Sequence, residues 1–346
     1  MKSNSGYTSV SYFIFRACFI GMSSQCLVNS IYQDSWLGIL LGFIIGFIPI
    51  YCIYFLASKC NDGNIIDLIN NKFIYSKHII KAILFILVFL LTLLNFCNMT
   101  KLIYTQFLNR TPTIVISIMF IIPIIMLINK NNKVLSRVCF ILFIIGLLLY
   151  LISIFGLINK FNINNIKPIL EYNPTKGIIP YISYNVLPIF MILIIPGNQI
   201  KKSIIKGYII SSISLFITMF LLLGILGINL TLLFKYPEFH ILKYAYEDMI
   251  NFRLENILSI ITILDTFIFT SIGIKYCNES FNIKKKNIIP IIMIVLSIYI
   301  LDLNYLTYKN IILKLPLIYV IILSAIIFLI IIKSVMKLHL KHNFSN

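Results

Sequence analysis

Residues 35–58, SWLGILLGFIIGFIPIYCIYFLAS, form a long run without a charged side chain. A helix needs about 20 apolar residues to cross a bilayer core of about 30 Å. Apolar runs of similar length recur along the whole 346-residue chain, in which 60% of residues are hydrophobic and only 12% are charged. The sequence therefore predicts an all-α polytopic membrane protein, and it leaves no stretch long enough for a soluble domain.

The apolar runs divide the chain into about ten predicted membrane spans. They lie near residues 8–30, 34–58, 78–104, 112–129, 135–158, 178–198, 205–232, 254–276, 288–304 and 311–335. We take residues 1–346 as a single membrane domain that ends in a tail at 336–346. The first span is expected to stay in the mature protein, because Arg16 interrupts its apolar run and no small-residue cleavage site follows.

Positive charge is divided unevenly between the loops on the two sides of these spans. The richer loops include residues 59–77, 130–137, 201–206 and 284–286, and both chain ends lie on their side. Because loops rich in Lys and Arg stay in the cytoplasm, we predict that both termini are cytoplasmic. The net charge of +18 then reflects orientation and contact with lipid headgroups, and nucleic-acid binding is not indicated.

Two of the spans are poor helices in their middles. The first contains the polar stretch Ile20-Gly21-Met22-Ser23-Ser24-Gln25, and the sixth contains Pro180, Pro188 and Pro196-Gly197 around Tyr184-Asn185. Backbone that leaves the helix inside a membrane must be buried in protein or line a wet cavity. Because these spans each open a set of five, we infer a 5+5 inverted repeat with a ligand site at the two breaks. The alternative is a pair of kinked helices without a ligand.

A carboxyl group interrupts the apolar eighth span at Asp265. It would cost about 3 kcal/mol or more at mid-bilayer depth, so it should face the interior of the bundle. Thr262, Thr266 and Thr270 fall on a similar face at helical spacing. One interpretation is a cavity wall that binds a ligand or relays a proton. The other is an interhelical hydrogen bond, with Arg16 of the first span as the partner.

The loop before the eighth span contains a predicted amphipathic helix at residues 236–252. A lid over an outer vestibule and an interfacial helix without a gating role both fit its pattern.

Metal and enzyme chemistry find little support in the sequence. The seven cysteines include no Cys-x-x-Cys pair, and His339 and His342 lie close together without a further ligand beside them. The common nucleophile, phosphate-binding, dinucleotide and zinc-protease motifs do not occur. We therefore predict no cofactor, no metal site and no enzyme activity.

A set of short motifs, ordered along residues 8–335, resembles one known family. They are Gly21 in the first span, Asp34-Ser35-Trp36 at the start of the second, Arg110-Thr111-Pro112 before the fourth, Ser136-Arg137 in the fifth, Asn164-Asn165-Ile166-Lys167-Pro168 before the sixth, Pro196 and Lys201-Lys202 after it, Tyr236-Pro237 in the following loop, and Arg253 before the eighth. The chain resembles the GerAB-type spore germination permeases, the B subunits of nutrient germinant receptors, in the amino acid–polyamine–organocation superfamily.

This resemblance implies a LeuT-like fold and a small nutrient, often an amino acid, bound among the first, sixth and eighth helices. It also implies A-type and lipoprotein C-type partner subunits in the spore inner membrane. The candidate ligand-binding residues are Ile20, Gly21, Met22, Ser23, Ser24, Asn185, Leu187, Asp265 and Thr266. The half-helix start after Gly21 should offer free backbone N–H groups to a carboxylate, and Asp265 should offer an acid to an ammonium group.

Two stretches depart from the family pattern. Many members carry Phe/Leu-Gly-x-Glu in the sixth helix where this chain has Leu187-Pro188-Ile189-Phe190, and the Glu-Arg pair before the eighth helix is Phe252-Arg253 here. Besides a germinant receptor subunit, two other interpretations therefore stay open. They are an amino-acid permease of the same superfamily and a structural subunit with a degenerate ligand site.

Overall fold

A computed structural model of the chain describes residues 3–58, 77–245, 256–281, 283, 285–303 and 307–319. The regular structure of this part is helical. The segments are Ser3–Arg16, Phe19–Ser23, Ser24–Ile31, Tyr32–Asp34, Ser35–Ser58, Lys77–Gln106, Thr113–Ile128, Asn132–Ile158, Ile163–Ile166, Pro174–Gly177, Ile178–Tyr181, Ile182–Val186, Leu187–Ile194, Gly197–Leu233, Pro237–Ala245, Asn256–Ser280, Ile288–Leu301 and residues 307–319. The predicted tail at 336–346, with both of its histidines, and most of the predicted tenth span lie outside the described residues.

Six helical runs in the described residues are long and apolar enough to cross a membrane. They are Ser5–Ser58, His78–Gln106, Asn132–Ile158, Pro174–Ile194, Gly197–Leu233 and Ile257–Ser280. Ser5–Ser58 contains the first two predicted spans, and Thr113–Ile128 and Ile288–Leu301 are shorter apolar helices at the fourth and ninth. These helices confirm the prediction of an all-α polytopic membrane protein, whereas the inverted repeat stays a prediction.

The second span shows how the bundle divides its surface between lipid and protein. Ile44, Ile48 and Tyr51 recur at helical spacing and are each more than 60% exposed. Gly42 and Gly46 lie on the opposite, buried face, where they approach Tyr181 of the sixth span and Tyr208 of the seventh. Small residues allow membrane helices to pack closely. The exposed apolar stripe is therefore the lipid-facing side of this helix.

The seventh span begins earlier than hydropathy predicts. The stretch after the predicted end of the sixth span, at 198, is already helical, because the helical run Gly197–Leu233, which is kinked at Gly227, begins before it. Ile195 is extended, with φ −94° and ψ 139°, and separates this helix from the sixth span. Lys201 and Lys202 lower the hydropathy of the first turns, but lysine is a good helix former. The helix thus continues past the apolar stretch.

The first span packs against the fifth and seventh spans at the centre of the bundle. Its closest approach to the seventh span is at Gly207, where an added Cβ would lie 2.9 Å from the backbone oxygen of Thr8 and 2.9 Å from the backbone nitrogen of Tyr12. Backbone atoms cannot rotate away as a side-chain end can. The two helices would have to separate to admit even a methyl group.

We expect Gly207→Ala to lower the free energy of unfolding by about 1–3 kcal/mol, the usual cost of overpacking a core. Gly146→Ala in the fifth span is the matched control, because no atom lies within 4 Å of its added Cβ. Alanine there should be neutral or stabilising by about 0.5–1 kcal/mol. Thermal unfolding of the purified proteins, followed by circular dichroism, measures both. Equal melting temperatures for the two variants would contradict the close approach.

Candidate ligand site at the broken first span

The helix of the first span is interrupted at Ile20 and Gly21. Ile20 has ψ 123°, and Gly21 has φ +70° in the left-handed region. The backbone N–H of Ser23 donates to the Cys18 carbonyl at 3.0 Å, and that of Ser24 donates to the Phe19 carbonyl. The half-helix start after Gly21 was predicted to offer free backbone N–H groups to a ligand, but the N–H groups of Ser23 and Ser24 are used within the break itself.

Two residues from other segments support the interrupted backbone. Asn98 of the third span donates from Nδ2 to the Ile20 carbonyl at 2.8 Å. The Tyr236 hydroxyl donates to the Asn98 carbonyl at 3.1 Å. An added Cβ on Gly21 would lie 2.7 Å from the Tyr236 ring. Gly21 is thus required both for its φ angle and for this close approach.

Sequence reasoning did not assign a role to either supporting residue. Asn98 belongs to a polar pair, with Asn95, inside the apolar third span, and this pair was a usable signal. Tyr236 was recognised only as part of a Tyr-Pro motif.

The sixth span meets the first at this break. Asn185 lies in the π-helical segment Ile182–Val186 and donates from Nδ2 to the Ser23 hydroxyl at 2.7 Å. Its Oδ1 atom is buried and accepts no hydrogen bond from the described residues. Ile20, Met22 and Leu187 are buried nearby in the same two broken segments. The structure therefore brings the first-span and sixth-span members of the predicted site together.

Asp265 is paired with Arg16. Arg16 Nη1 lies 3.5 Å from Asp265 Oδ2, and both side chains are only 4% exposed. Arg16 also donates to the Tyr12 hydroxyl at 2.7 Å, and its guanidinium carbon lies 4.9 Å from the centre of the Tyr150 ring. The interhelical partner considered from the sequence is thus the one observed. Because Arg16 compensates its charge, Asp265 is a poor acceptor for a ligand ammonium group.

The Thr266 hydroxyl is also engaged. It donates to the Thr262 carbonyl one turn earlier at 2.7 Å and contacts the sulfur of Met99 in the third span. Thr262 and Thr270 likewise donate to carbonyls of their own helix. The threonine face points into the bundle, as its spacing predicts, but its hydroxyl hydrogens are satisfied within the helix.

A small cavity lies beside Gly21. Its volume is about 10 Å³, and it is lined by Gly21, Gln25, Lys235, Tyr308, Lys309, Ile312 and Leu313. This is room for a single water-sized group. The Tyr308 hydroxyl is buried and has no hydrogen-bond partner among the described residues.

Three lysines surround this cavity. Lys235 and Lys309 line it, and Lys101 Nζ lies 3.8 Å from the centre of the Tyr308 ring. Burial, together with the positive charge of Lys101, lowers the pKa of Lys235 to about 8. An anion beside Lys235 would stabilise its charged form, so the cavity is electrostatically suited to a carboxylate.

Glu238 is a buried acid beside the same break. It lies in the helix Pro237–Ala245, and its side chain is 1% exposed. Burial raises its pKa to about 7, although the nearby Ser24 hydroxyl and the Gly21 backbone N–H oppose the rise. Neither carboxyl oxygen has a hydrogen bond of ordinary geometry to the described residues. The lid interpretation drew attention to this segment, but sequence reasoning did not select Glu238.

The predicted lid is a short helix where the structure describes it. Pro237–Ala245 packs against the broken segment of the first span and against the fifth, seventh and eighth spans. The rest of the predicted lid, residues 246–252, lies outside the described residues. In the part of the chain that is described, no cluster of three or more His, Cys, Asp or Glu side chains could hold a metal ion.

Comparison with known proteins supplies the family. Residues 8–309 match the model of the family described as spore germination protein. A curated relative from Bacillus subtilis (strain 168), named "Putative spore germination protein YfkT", is 24% identical over 258 residues, covering 70% of this chain and 69% of the relative. A crystal structure of the Eremococcus coleocola manganese transporter is similar with a TM-score of 0.39 and 13% identity, covering 94% of this chain and 70% of the transporter. The family match spans nearly the whole chain and confirms the resemblance drawn from the motifs: this chain belongs to the spore germination protein family of membrane permeases.

Proposed function

We propose that this chain is the membrane subunit of a spore germinant receptor, which binds a small nutrient at the broken first span. In this proposal it acts in the spore inner membrane with A-type and lipoprotein C-type partner subunits, and both of its termini face the cytoplasm. Family membership supports the connection with germination. The side chains around the break support the ligand site.

The observation that carries the proposal is unused hydrogen-bonding capacity where the two broken spans meet. Asn185 Oδ1 is buried and has no hydrogen-bond partner among the described residues, and the buried Ser24 Oγ, which lies near Glu238, has none of ordinary geometry. A buried polar atom without a partner costs about 1–3 kcal/mol. Such a cost is repaid when a polar ligand satisfies the atoms, which is why we place the nutrient at this point.

The lysines around the adjacent cavity favour a nutrient that carries a carboxylate. Lys235 and Lys309 line the cavity together with Gly21, and Gln25 is held there by donating from Nε2 to the Phe234 carbonyl at 2.9 Å. A carboxylate between lysines gains charge-assisted hydrogen bonds, which are stronger than neutral ones. The lining therefore favours a ligand that carries a negative charge.

Binding requires the site to open, because a volume of about 10 Å³ admits no more than a water-sized group. The helix Pro237–Ala245 covers the broken segment, so its displacement is the simplest route to a larger cavity. A nutrient that binds only the opened state would raise the population of that state. In the receptor, this shift is the signal that we propose is passed to the partner subunits.

The proposal is tested by ligand binding to the purified chain in lipid nanodiscs. Propionate and L-alanine should raise its melting temperature, whereas propionamide, which has propionate's size without its charge, should not. Lys235→Met should weaken propionate binding by about tenfold or more, the usual effect of losing a charge-assisted hydrogen bond. Lys243→Met is the matched control, since Lys243 is an exposed lysine of the same segment.

The outcomes separate the three functional interpretations. Propionate binding that is unaffected by Lys235→Met would place the ligand elsewhere and overturn the site. Uptake of labelled L-alanine by liposomes containing this chain alone would favour an amino-acid permease. If no member of a nutrient panel stabilised the protein, a structural subunit with a degenerate site would be favoured. A germination response that requires the A-type and C-type partners supports the receptor.

A further inference from the structure

Resting on the proposed ligand site, we propose that Glu238 binds a positively charged amine of the ligand, so that the nutrient is a zwitterion such as an amino acid. Glu238 thereby takes the role that the sequence offered to Asp265. The burial of this carboxyl group, its place beside the break and the charges around it support the assignment.

Glu238 is buried without a cationic partner. Its side chain is 1% exposed, and within the described residues its oxygens form no ion pair. The Ser24 hydroxyl and the Gly21 backbone N–H lie near enough to stabilise its charge, although neither makes a hydrogen bond of ordinary geometry. A buried carboxylate is strongly disfavoured unless it is paired with a cation or takes up a proton. Asp265 already has Arg16, whereas Glu238 has no cation beside it among the described residues.

Glu238 also lies where a ligand in the break would reach it. Glu238 lies beside the Gly21 backbone N–H and the Ser24 hydroxyl, both of which belong to the interrupted first span. These are two of the residues that form the proposed ligand site. An amine that enters the break is thus brought next to this carboxyl group.

Glu238 also lines a second small cavity. A second cavity of about 10 Å³ is lined by Glu238 together with Tyr150, Ser153, Thr218 and several apolar side chains. The Tyr150 hydroxyl is already engaged by the Ser214 carbonyl and Thr218. The cavity has room for one small group, and Glu238 is its acidic member.

A positive and a negative side chain lie close together in the segment that follows the seventh span. Lys235 lines the first cavity and Glu238 lines the second, three residues apart in the chain. Opposite charges on one short segment match a ligand with both a carboxylate and an ammonium group. A ligand with only one of these charges would match only one of the two side chains.

The experiment compares L-alanine with propionate, which is the same acid without the amine, on the full chain in nanodiscs. Wild-type protein should bind L-alanine about tenfold or more tightly than propionate, because a hydrogen bond between two charged groups is gained. Glu238→Gln should leave propionate affinity unchanged and reduce L-alanine affinity to that of propionate. Glu171→Gln, the same change at an exposed acid, should retain the wild-type preference.

Several results would overturn the proposal. An equal change in both affinities on Glu238→Gln would indicate a general structural role. Tighter propionate binding to that variant would show that Glu238 instead competes with the ligand carboxylate. If wild-type protein binds no propionate, the carboxylate site of the proposed function fails, and ethylamine alone decides this inference. Ethylamine binding that Glu238→Gln abolishes supports it, and the absence of ethylamine binding contradicts it.

The pH profile supplies a readout that a purely structural residue would not change. Only ionised Glu238 attracts an ammonium group, and burial raises its pKa to about 7. The preference for L-alanine over propionate should therefore be largest above this pH and decline as pH falls through about 7. In the Glu238→Gln variant, the ratio of the L-alanine affinity to the propionate affinity should not change with pH. The ratio cancels the titration of Lys235, whose pKa is about 8.

The other groups around Glu238 do not reproduce this profile. His240 lies in the same helix, and burial, followed by the charge of Lys243, lowers its pKa, so it is already neutral at pH 7. Tyr150 faces Glu238 across the second cavity, and the Arg16–Asp265 pair lies beyond it. All of these are present in both proteins, so the difference between them isolates Glu238. A preference independent of pH in the wild type would contradict the assigned role.

Discussion

Replacement of Arg16 by methionine is expected to lower the free energy of unfolding by about 3–5 kcal/mol, because it leaves a buried carboxyl group without its partner. Arg16 Nη1 lies 3.5 Å from Asp265 Oδ2, with both side chains 4% exposed. The guanidinium also contacts Tyr12 and Tyr150. Methionine keeps the length and flexibility of the arginine stem, so the charge is the main property that is lost.

The double variant Arg16→Met/Asp265→Asn separates the charge from the packing. A pair of neutral side chains in place of a buried ion pair is often close to neutral in stability, so the double variant should recover at least half of the loss. Thermal unfolding in detergent measures each protein, and Arg110→Met, at an exposed arginine, is the control. A double variant as unstable as the single one would show that contacts with Tyr12 and Tyr150 carry the stabilisation instead.

Gly21→Ala is expected to destabilise the protein by about 2–5 kcal/mol. The left-handed φ of +70° costs about 1–2 kcal/mol for an L side chain, and the new Cβ would lie 2.7 Å from the Tyr236 ring, which adds about 1–3 kcal/mol of overpacking. The Tyr236 ring cannot move freely, because its hydroxyl donates to the Asn98 carbonyl. The change therefore disturbs the support of the broken segment as well as its backbone.

The same melting measurement tests this variant, with Gly146→Ala as the reference for a glycine in open space. Propionate binding should also weaken, because Gly21 lines the lysine-rich cavity. A Gly21→Ala protein with wild-type stability and wild-type propionate affinity would contradict both the strained geometry and the proposed site.

Side chains from several spans hold the candidate site in place. The Arg16–Asp265 pair joins the first and eighth spans about one turn before the first-span helix is interrupted. Asn98 of the third span donates a hydrogen bond to the interrupted backbone, and Tyr236, in the segment after the seventh span, donates one to Asn98. The break is thus fixed by side chains from several spans. A ligand that displaced Tyr236 would loosen this support.

Several motifs that identified the family gain a structural explanation. The Asp34 carboxylate accepts hydrogen bonds from the backbone N–H groups of Leu170 and Tyr172, at 2.8 and 2.9 Å, and so fastens the loop before the sixth span to the start of the second. Asn165 donates to the Gly224 carbonyl at 2.8 Å and ties the same loop to the seventh span. Asp34 and Asn165 thus maintain the architecture around the site, and neither lines the cavity beside Gly21.

The sequence by itself determined the class of protein and the position of both interruptions. Hydropathy requires only that neighbouring residues be apolar over the length of a bilayer, and Gly21 or the prolines of the sixth span break a helix through local backbone chemistry. Both inferences depend on residues that are close in the chain. The hydrogen bond between Asn185 and Ser23, by contrast, joins two distant segments and was found only in the structure.

Only the tertiary structure decided which acid is available to a ligand. Asp265 has the pattern of a binding residue, but the rotation of the eighth span points it at Arg16. Glu238 lies in the predicted amphipathic helix at 236–252, whose pattern does not show what covers it, and the packing of Pro237–Ala245 against four spans buries it. Helix rotation and loop docking are set by side-chain packing between distant parts of the chain, so the charges that meet at this site follow from the assembled bundle.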